Sequence, residues 1–96
     1  MSLLTKPSHP GEVLAELYLA PLGMKAPTLA KQLHVPRTRI ERLVKGETAL
    51  TADTAMRLAA FFQTTPEYWM NLQRAWDLAL ARETVDVSGI QPLHAA

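Results

Sequence analysis

Four of the seven prolines divide this chain into short helical segments. Each one opens a stretch in which apolar residues recur at spacings of three and four, the pattern of a helix with one buried face. Proline suits the first turn of a helix, where its missing N–H costs nothing, and is excluded from the interior. These prolines are Pro10, Pro27, Pro36 and Pro66. Because no strand-like alternation of useful length precedes residue 84, the sequence predicts an all-α fold.

The pattern predicts five helices joined by short connections. Their expected ranges are about 10–20, 26–33, 36–44, 52–62 and 66–82. We expect Pro21 to end the first helix, because the residue before a proline avoids helical geometry. His34 is expected to supply a left-handed turn, and Gly46 follows the end of the third helix. Thr51 and Thr65 are expected to cap the last two helices by accepting from free backbone amides.

The chain of 96 residues has the length of one domain and contains no cysteine. A chain of this length can bury a stable core without metals or disulfides. The absence of thiols excludes disulfide pairing and thiolate zinc sites. No apolar run approaches the ~18 residues of a membrane span. The N-terminus is too short and polar for a signal peptide, so we expect a cytoplasmic protein. Residues 1–8 are expected to form a flexible arm, 9–82 the domain and 83–96 a C-terminal arm.

The last two segments contain apolar residues that are expected to be buried against another surface. The apolar side chains of helix 66–82 spread over more than one face, which predicts packing on a second chain as well as on its own core. The expected dimer residues are Met70, Trp76, Leu78 and Leu80. A central core helix in a monomer is the alternative. Residues 84–96, with Val85 and Val87 alternating, are expected to be extended, either paired with a partner strand or frayed.

The sequence contains no arrangement typical of an enzyme. His9, His34 and His94 lack the spacing of metal ligands, and no glycine-rich loop is present to hold a phosphate. Glu12 and Glu16 both fall on the polar side of their helix. We therefore expect neither catalysis nor a metal or cofactor.

Charge is concentrated in the middle of the chain. The net charge is +1, but residues 24–46 contain six basic residues and one acid, a local charge of +5, while residues 1–23 carry −1 and 47–96 carry −3. A basic segment between acidic flanks indicates one surface that faces a polyanion.

The basic segment has the spacing of a helix-turn-helix. In residues 26–45, Ala30 is a small residue where two helices must cross closely, and Ile40 and Leu43 hold the second helix on the first. In this motif the second helix lies in the DNA major groove. Its exposed face is mostly basic, which favours double-stranded DNA as the partner.

Position along the second helix assigns roles to these side chains. The front of a recognition helix meets base edges, and the residues expected to do so are Arg37, Thr38 and Arg42. Arginine can bond bidentately to guanine, and the threonine methyl can touch thymine. The groups expected to meet phosphates are Lys25, Arg39, Lys45 and the backbone N–H of Gly46. The amino end of helix 26–33 adds a favourable dipole.

Three stretches resemble the Cro/repressor-type helix-turn-helix family and, within it, the HigA (VapI-like) antitoxins. They are HPGEVLAELYLAPLGM, LAKQLHVPRTRIERLVKGETALTADTAMRLAAFF and TTPEYWMNLQRAWDLALA, and together they cover residues 9 to about 82. The resemblance implies a five-helix domain that dimerises and binds an inverted repeat in its own promoter. It also implies neutralisation of a HigB-type toxin that resembles the RelE-like, ribosome-dependent mRNA endonucleases.

The family's DNA-contact positions correspond to Pro36, Arg37, Thr38, Arg42, Lys45 and Gly46, which adds Pro36 to the phosphate contacts. Two positions depart from the family's pattern. Lys25 stands where a serine or threonine often opens the first helix of the motif, and His34 stands where the turn often has glycine.

Two other functions fit the same residues. A solitary transcriptional regulator without a toxin would have the same sequence features. A helical adaptor would use the basic face for a protein partner instead of DNA.

Overall fold

The computed structural model describes residues 6–94, which form five helices and no strand. We label them α1 to α5. α1 consists of three contiguous segments, and the others are unbroken. Their bounds are Pro10–Val13, Leu14–Leu19 and Ala20–Leu22 for α1, Ala26–Leu33 for α2, Arg37–Val44 for α3, Ala52–Phe62 for α4 and Pro66–Thr84 for α5. The predicted all-α, five-helix fold is confirmed.

The middle segment of α1 is π-helical, and this changes the predicted end of the helix. The N–H of Ala20 donates to the carbonyl of Ala15, five residues back. The preceding turn therefore does not use the i to i−4 bonds that a proline interrupts. The backbone at Pro21 is therefore still helical, and α1 ends at Leu22. The next residue, Gly23, is left-handed at φ 62°. The prediction that Pro21 ends α1 is wrong for this reason.

The predicted helix caps are present. The Oγ1 of Thr51 accepts from the N–H of Thr54 at 3.3 Å, and the Oγ1 of Thr65 accepts from that of Tyr68 at 3.1 Å. Pro36 precedes α3 in extended geometry, so it is the residue before the helix and not its first residue.

The C-terminal arm begins later than predicted. α5 continues to Thr84, so the irregular segment starts at Val85 and not at residue 83. Between residues 85 and 94 the chain forms only a short turn. Its apolar side chains, Val85, Val87, Ile90 and Leu93, are all exposed. The expected arm of residues 1–8 falls partly on residues 1–5, which lie outside the described residues.

Each helix contributes at least one fully buried side chain to a single core. Five such residues are Leu14, Leu29, Ile40, Leu58 and Trp69, one from each of α1 to α5, and all are 0% exposed. Their burial removes apolar surface from water, which is the main favourable contribution to folding. Because Leu29 and Ile40 belong to it, the core fixes α2 and α3 relative to each other and to the rest of the domain.

An aromatic cluster joins α1 to α5 beside this core. The Tyr18 and Trp69 rings lie 5.0 Å apart, and the Nε1 of Trp69 donates to the Oγ1 of Thr64 at 2.7 Å. The hydroxyl of Tyr18 donates to that of Tyr68 at 3.2 Å. Burial, followed by this hydrogen bond, raises the pKa of Tyr18 to about 12.

Within residues 6–94, no helix combines the length and the apolar character needed to cross a membrane.

Candidate nucleic-acid interface

The turn between α2 and α3 is closed by backbone hydrogen bonds around a left-handed residue. His34 has φ 60° and ψ 44°, as predicted from its place in the sequence. The N–H of Val35 donates to the carbonyl of Ala30 at 3.0 Å, and that of His34 to Lys31 at 3.2 Å. This pattern satisfies the free carbonyls at the end of α2 and reverses the chain. The turn therefore presents α3 at a fixed angle to α2.

α3 has one buried face and one exposed basic face. Ile40 and Leu43 are 0% and 2% exposed, and they anchor the helix on the core. Arg37, Thr38 and Arg42 are exposed. The structure thus brings together on the outer side of α3 the three side chains that were expected to reach bases.

The six basic residues of this region are all exposed: Lys25, Lys31, Arg37, Arg39, Arg42 and Lys45. Lys25 precedes α2 in extended geometry, and its side chain makes no capping hydrogen bond. It therefore lies beside the amino end of α2, where the helix dipole adds to its positive charge.

Backbone N–H groups just after α3 donate to carbonyls at the end of that helix, and this affects one expected DNA contact. The N–H of Gly46 donates to the carbonyl of Leu43 at 2.9 Å, and that of Glu47 donates to Arg42 at 2.9 Å. The expectation that the Gly46 N–H meets a phosphate conflicts with this arrangement, because that donor already closes the end of α3. Lys45 remains exposed and Gly46 is left-handed at φ 75°.

Arg39 is not a free cation. Its Nη1 donates to the Oδ1 of Asp53, at the start of α4, at 2.6 Å. The same oxygen accepts from the Nε of Arg57 at 2.7 Å, and the Nη1 of Arg57 donates to the carbonyl of Leu33 at 2.9 Å. Hydrogen bonds from Arg57 and then from Arg39 lower the pKa of Asp53. The sequence alone assigned Asp53 only to the dipole of α4, although its spacing of four residues from Arg57 is a signal for an ion pair.

Two further residues were missed by the sequence interpretation. The Nδ1 of His9 accepts from the N–H of Gly11 at 2.9 Å, so His9 caps α1, and Gly11 is buried where α1 crosses the end of α3. Gln73 is 6% exposed. Its Oε1 accepts from the N–H of Leu50 at 2.7 Å, and its Nε2 donates to Asp77 at 2.8 Å. Gln73 therefore ties the loop that follows α3 to α5.

The four expected dimer residues fall into two groups. Met70 is half-buried against the core of its own chain, and Trp76 is half-buried with its ring 5.2 Å from that of His9. Leu78 and Leu80 are 43% and 50% exposed. Of these four residues, only Leu78 and Leu80 present large exposed apolar side chains within one chain.

These features define a class of protein. A short helix pair with a closed turn carries exposed arginines on the outer face of its second helix, and three further helices hold it in place. This is the architecture of a helix-turn-helix DNA-binding domain.

Comparison with known proteins identifies the family. A family model described as helix-turn-helix matches residues 14–69. Virulence-associated protein I of Dichelobacter nodosus is 47% identical over 75 residues, which cover 78% of this chain and 69% of the relative. The chain belongs to the helix-turn-helix family, among its HigA- and VapI-like members.

Solved structures agree with this assignment. An addiction module antidote protein of the HigA family from Coxiella burnetii has a TM-score of 0.84 and 41% identity, and the alignment covers 94% of this chain and 100% of that one. Antitoxin HigA of Pseudomonas aeruginosa, solved with the higBA promoter, has a TM-score of 0.82 and 31% identity over 93% of this chain and 100% of its own.

Proposed function

We propose that this protein is a sequence-specific DNA-binding antitoxin that represses its own operon as a dimer. The observation that carries the proposal is the outer face of α3, where Arg37, Thr38 and Arg42 are exposed while Ile40 fixes the helix from behind. A rigid helix with arginines at its front and middle suits the major groove, where arginine discriminates guanine from the other bases.

The phosphate contacts are expected on both sides of this helix. Lys25 lies at the amino end of α2 and Lys45 follows α3, so the two charges flank the base-reading face. Pro36, at the turn before α3, is exposed and able to pack on the DNA backbone. Such contacts orient the protein without reading sequence.

Dimerisation would present two such helices to an inverted repeat. The exposed Leu78 and Leu80 on α5 are the candidates for the interface. A two-fold pair of recognition helices reads half-sites about one turn of DNA, ~34 Å, apart.

The antitoxin part of the proposal depends on relatives. The solved neighbours from Coxiella burnetii and Pseudomonas aeruginosa are named as HigA proteins. By this similarity, the partner is a HigB-type toxin that resembles the RelE-like mRNA endonucleases. The proposed product of the gene pair is an inactive complex of the two proteins.

The DNA-binding part is tested with a fluorescein-labelled fragment from upstream of the protein's own operon and a scrambled fragment of the same length and composition. We expect the upstream fragment to bind at least about 10³-fold more tightly at physiological salt. Equal binding of both fragments would contradict sequence-specific recognition. Binding to neither would contradict DNA binding altogether and favour the protein-binding adaptor.

The toxin part is tested by expressing the chain together with the small reading frame next to its gene. Co-purification of the two products, and rescue of growth that the neighbour alone arrests, are the expected results. A protein that binds its promoter but neither captures nor detoxifies the neighbour would instead be a solitary transcriptional regulator.

A further inference from the structure

Asp53 places a negative charge on the face proposed to meet DNA. An open groove of about 510 Å³ runs between α3 and the start of α4, and its walls include Thr38, Arg42, Thr51 and Asp53. The side chain of Asp53 is 56% exposed. Among the described residues that line this groove, Asp53 alone is acidic. A carboxylate there repels phosphates, so its presence on this face requires a reason other than affinity.

The two arginines that bind Asp53 differ in how firmly they are held. Arg57 is four residues away on the same helix and also donates to the carbonyl of Leu33, so it is bound at two points. Arg39 comes from α3, is 42% exposed and donates to Asp53 alone among the described residues. Arg57 is therefore positioned to neutralise Asp53 without Arg39, whereas Arg39 is restrained only by this carboxylate.

We propose that Asp53 is a positioning residue that withholds Arg39 from DNA phosphates and so keeps sequence-independent binding weak. This inference rests on the proposed DNA-binding function. A phosphate that takes Arg39 must displace a carboxylate already bound at hydrogen-bond distance, so the exchange adds little net affinity on any sequence. Because the general attraction of DNA for the protein is thereby kept low, base contacts by Arg37 and Arg42 account for a larger share of the binding.

The first test is the slope of log Kobs against log salt on random-sequence DNA, measured for Arg39→Ala. A residue that neutralises a phosphate contributes about 0.9 to the magnitude of this slope. We expect the slope of Arg39→Ala to equal that of the wild type. A slope lower by about 0.9 would show that Arg39 already meets a phosphate and would overturn the proposal.

The second test releases Arg39. In Asp53→Asn we expect the salt slope on random DNA to steepen by about 0.9 and the binding of operator and random DNA to tighten by similar factors, because a phosphate contact does not read sequence. Glu47→Gln, which removes an exposed acid after α3, is the matched control and should leave the slope unchanged. The double variant Asp53→Asn with Arg39→Ala should return to the wild-type slope.

Two results would overturn the inference in this second test. One is an unchanged slope in Asp53→Asn, with thermal melting used to verify that the variant is folded. The other is a steepened slope that persists in the double variant, because the lost negative charge would then explain it without Arg39. Failure of the wild type to prefer its upstream DNA is a separate result, which contradicts the proposed function itself.

Discussion

The Cα of Gly11 packs directly against the backbone carbonyl of Leu43, so α1 and the end of α3 are in backbone contact. A Cβ built on Gly11 would lie 1.7 Å from that oxygen. The atoms nearest to that Cβ all belong to the main chain of α3, so no flexible side chain could move aside to make room. Glycine is therefore required at this position by the close approach of two helices.

Gly11→Ala is expected to destabilise the protein by about 3 kcal/mol or more, because the new methyl forces α1 away from α3. Chemical denaturation monitored by circular dichroism measures this loss. Gly89→Ala is the matched control, since a Cβ there has no atom within 4 Å, and it should change stability by less than about 0.5 kcal/mol. Equal stabilities of the two variants would contradict the close approach.

Gln73→Leu is expected to cost about 1–3 kcal/mol, because it leaves the buried N–H of Leu50 without an acceptor. Amide hydrogen exchange should show earlier opening around Leu50 than in the wild type. Asn71→Leu, at an exposed position of the same helix, is the control. If both variants unfold at the same denaturant concentration as the wild type, Gln73 does not hold this loop.

Asp53→Asn should show a pH-dependent loss of stability. In the folded protein the pKa of Asp53 lies below its ordinary value of 3.8, because Arg57 and Arg39 donate to the carboxylate. The ionised form therefore stabilises the fold above about pH 4, and this contribution disappears as the pH falls through the lower, folded-state pKa. The gap in unfolding free energy between wild type and variant should be present at neutral pH and close in acid. A gap that is independent of pH would exclude the two ion pairs as its source.

Leu80→Asp is expected to yield folded monomers. The side chain is half-exposed within one chain, so the change should alter the stability of the monomer by only about 0.5 kcal/mol, whereas a buried charge would disrupt an apolar dimer interface. Sedimentation equilibrium gives the mass of each variant. Leu17→Asp, at a 64% exposed position on α1, should remain dimeric. A wild-type protein that sediments as a monomer would contradict the proposed dimer.

Local signals in the sequence were sufficient to predict most helix boundaries. α2 and α4 match the predicted ranges, because prolines, threonine caps and His34 act within one helical turn. The passage of α1 through Pro21 was not predictable in this way, since it depends on a π-helical turn that no residue type specifies.

The electrostatics of the interface depended on tertiary structure. The exposed face of α3 followed from its periodicity, but the pairing of Arg39 with Asp53 joins residues 14 positions apart and requires the fold to bring the start of α4 within reach of Arg39. Likewise, nothing in the sequence near Gly11 indicates that its neighbour is Leu43. Charges counted along a sequence therefore overestimate the number of cations that are free to meet DNA.

The most direct test of the base-reading role of α3 compares Arg42→Ala with Lys45→Ala on operator and random DNA over a range of salt concentrations. We predict that Arg42→Ala costs about 1–3 kcal/mol on the operator and little on random DNA, whereas Lys45→Ala weakens both and lowers the salt slope by about one. Equal losses for Arg42→Ala on the two DNAs would contradict the account.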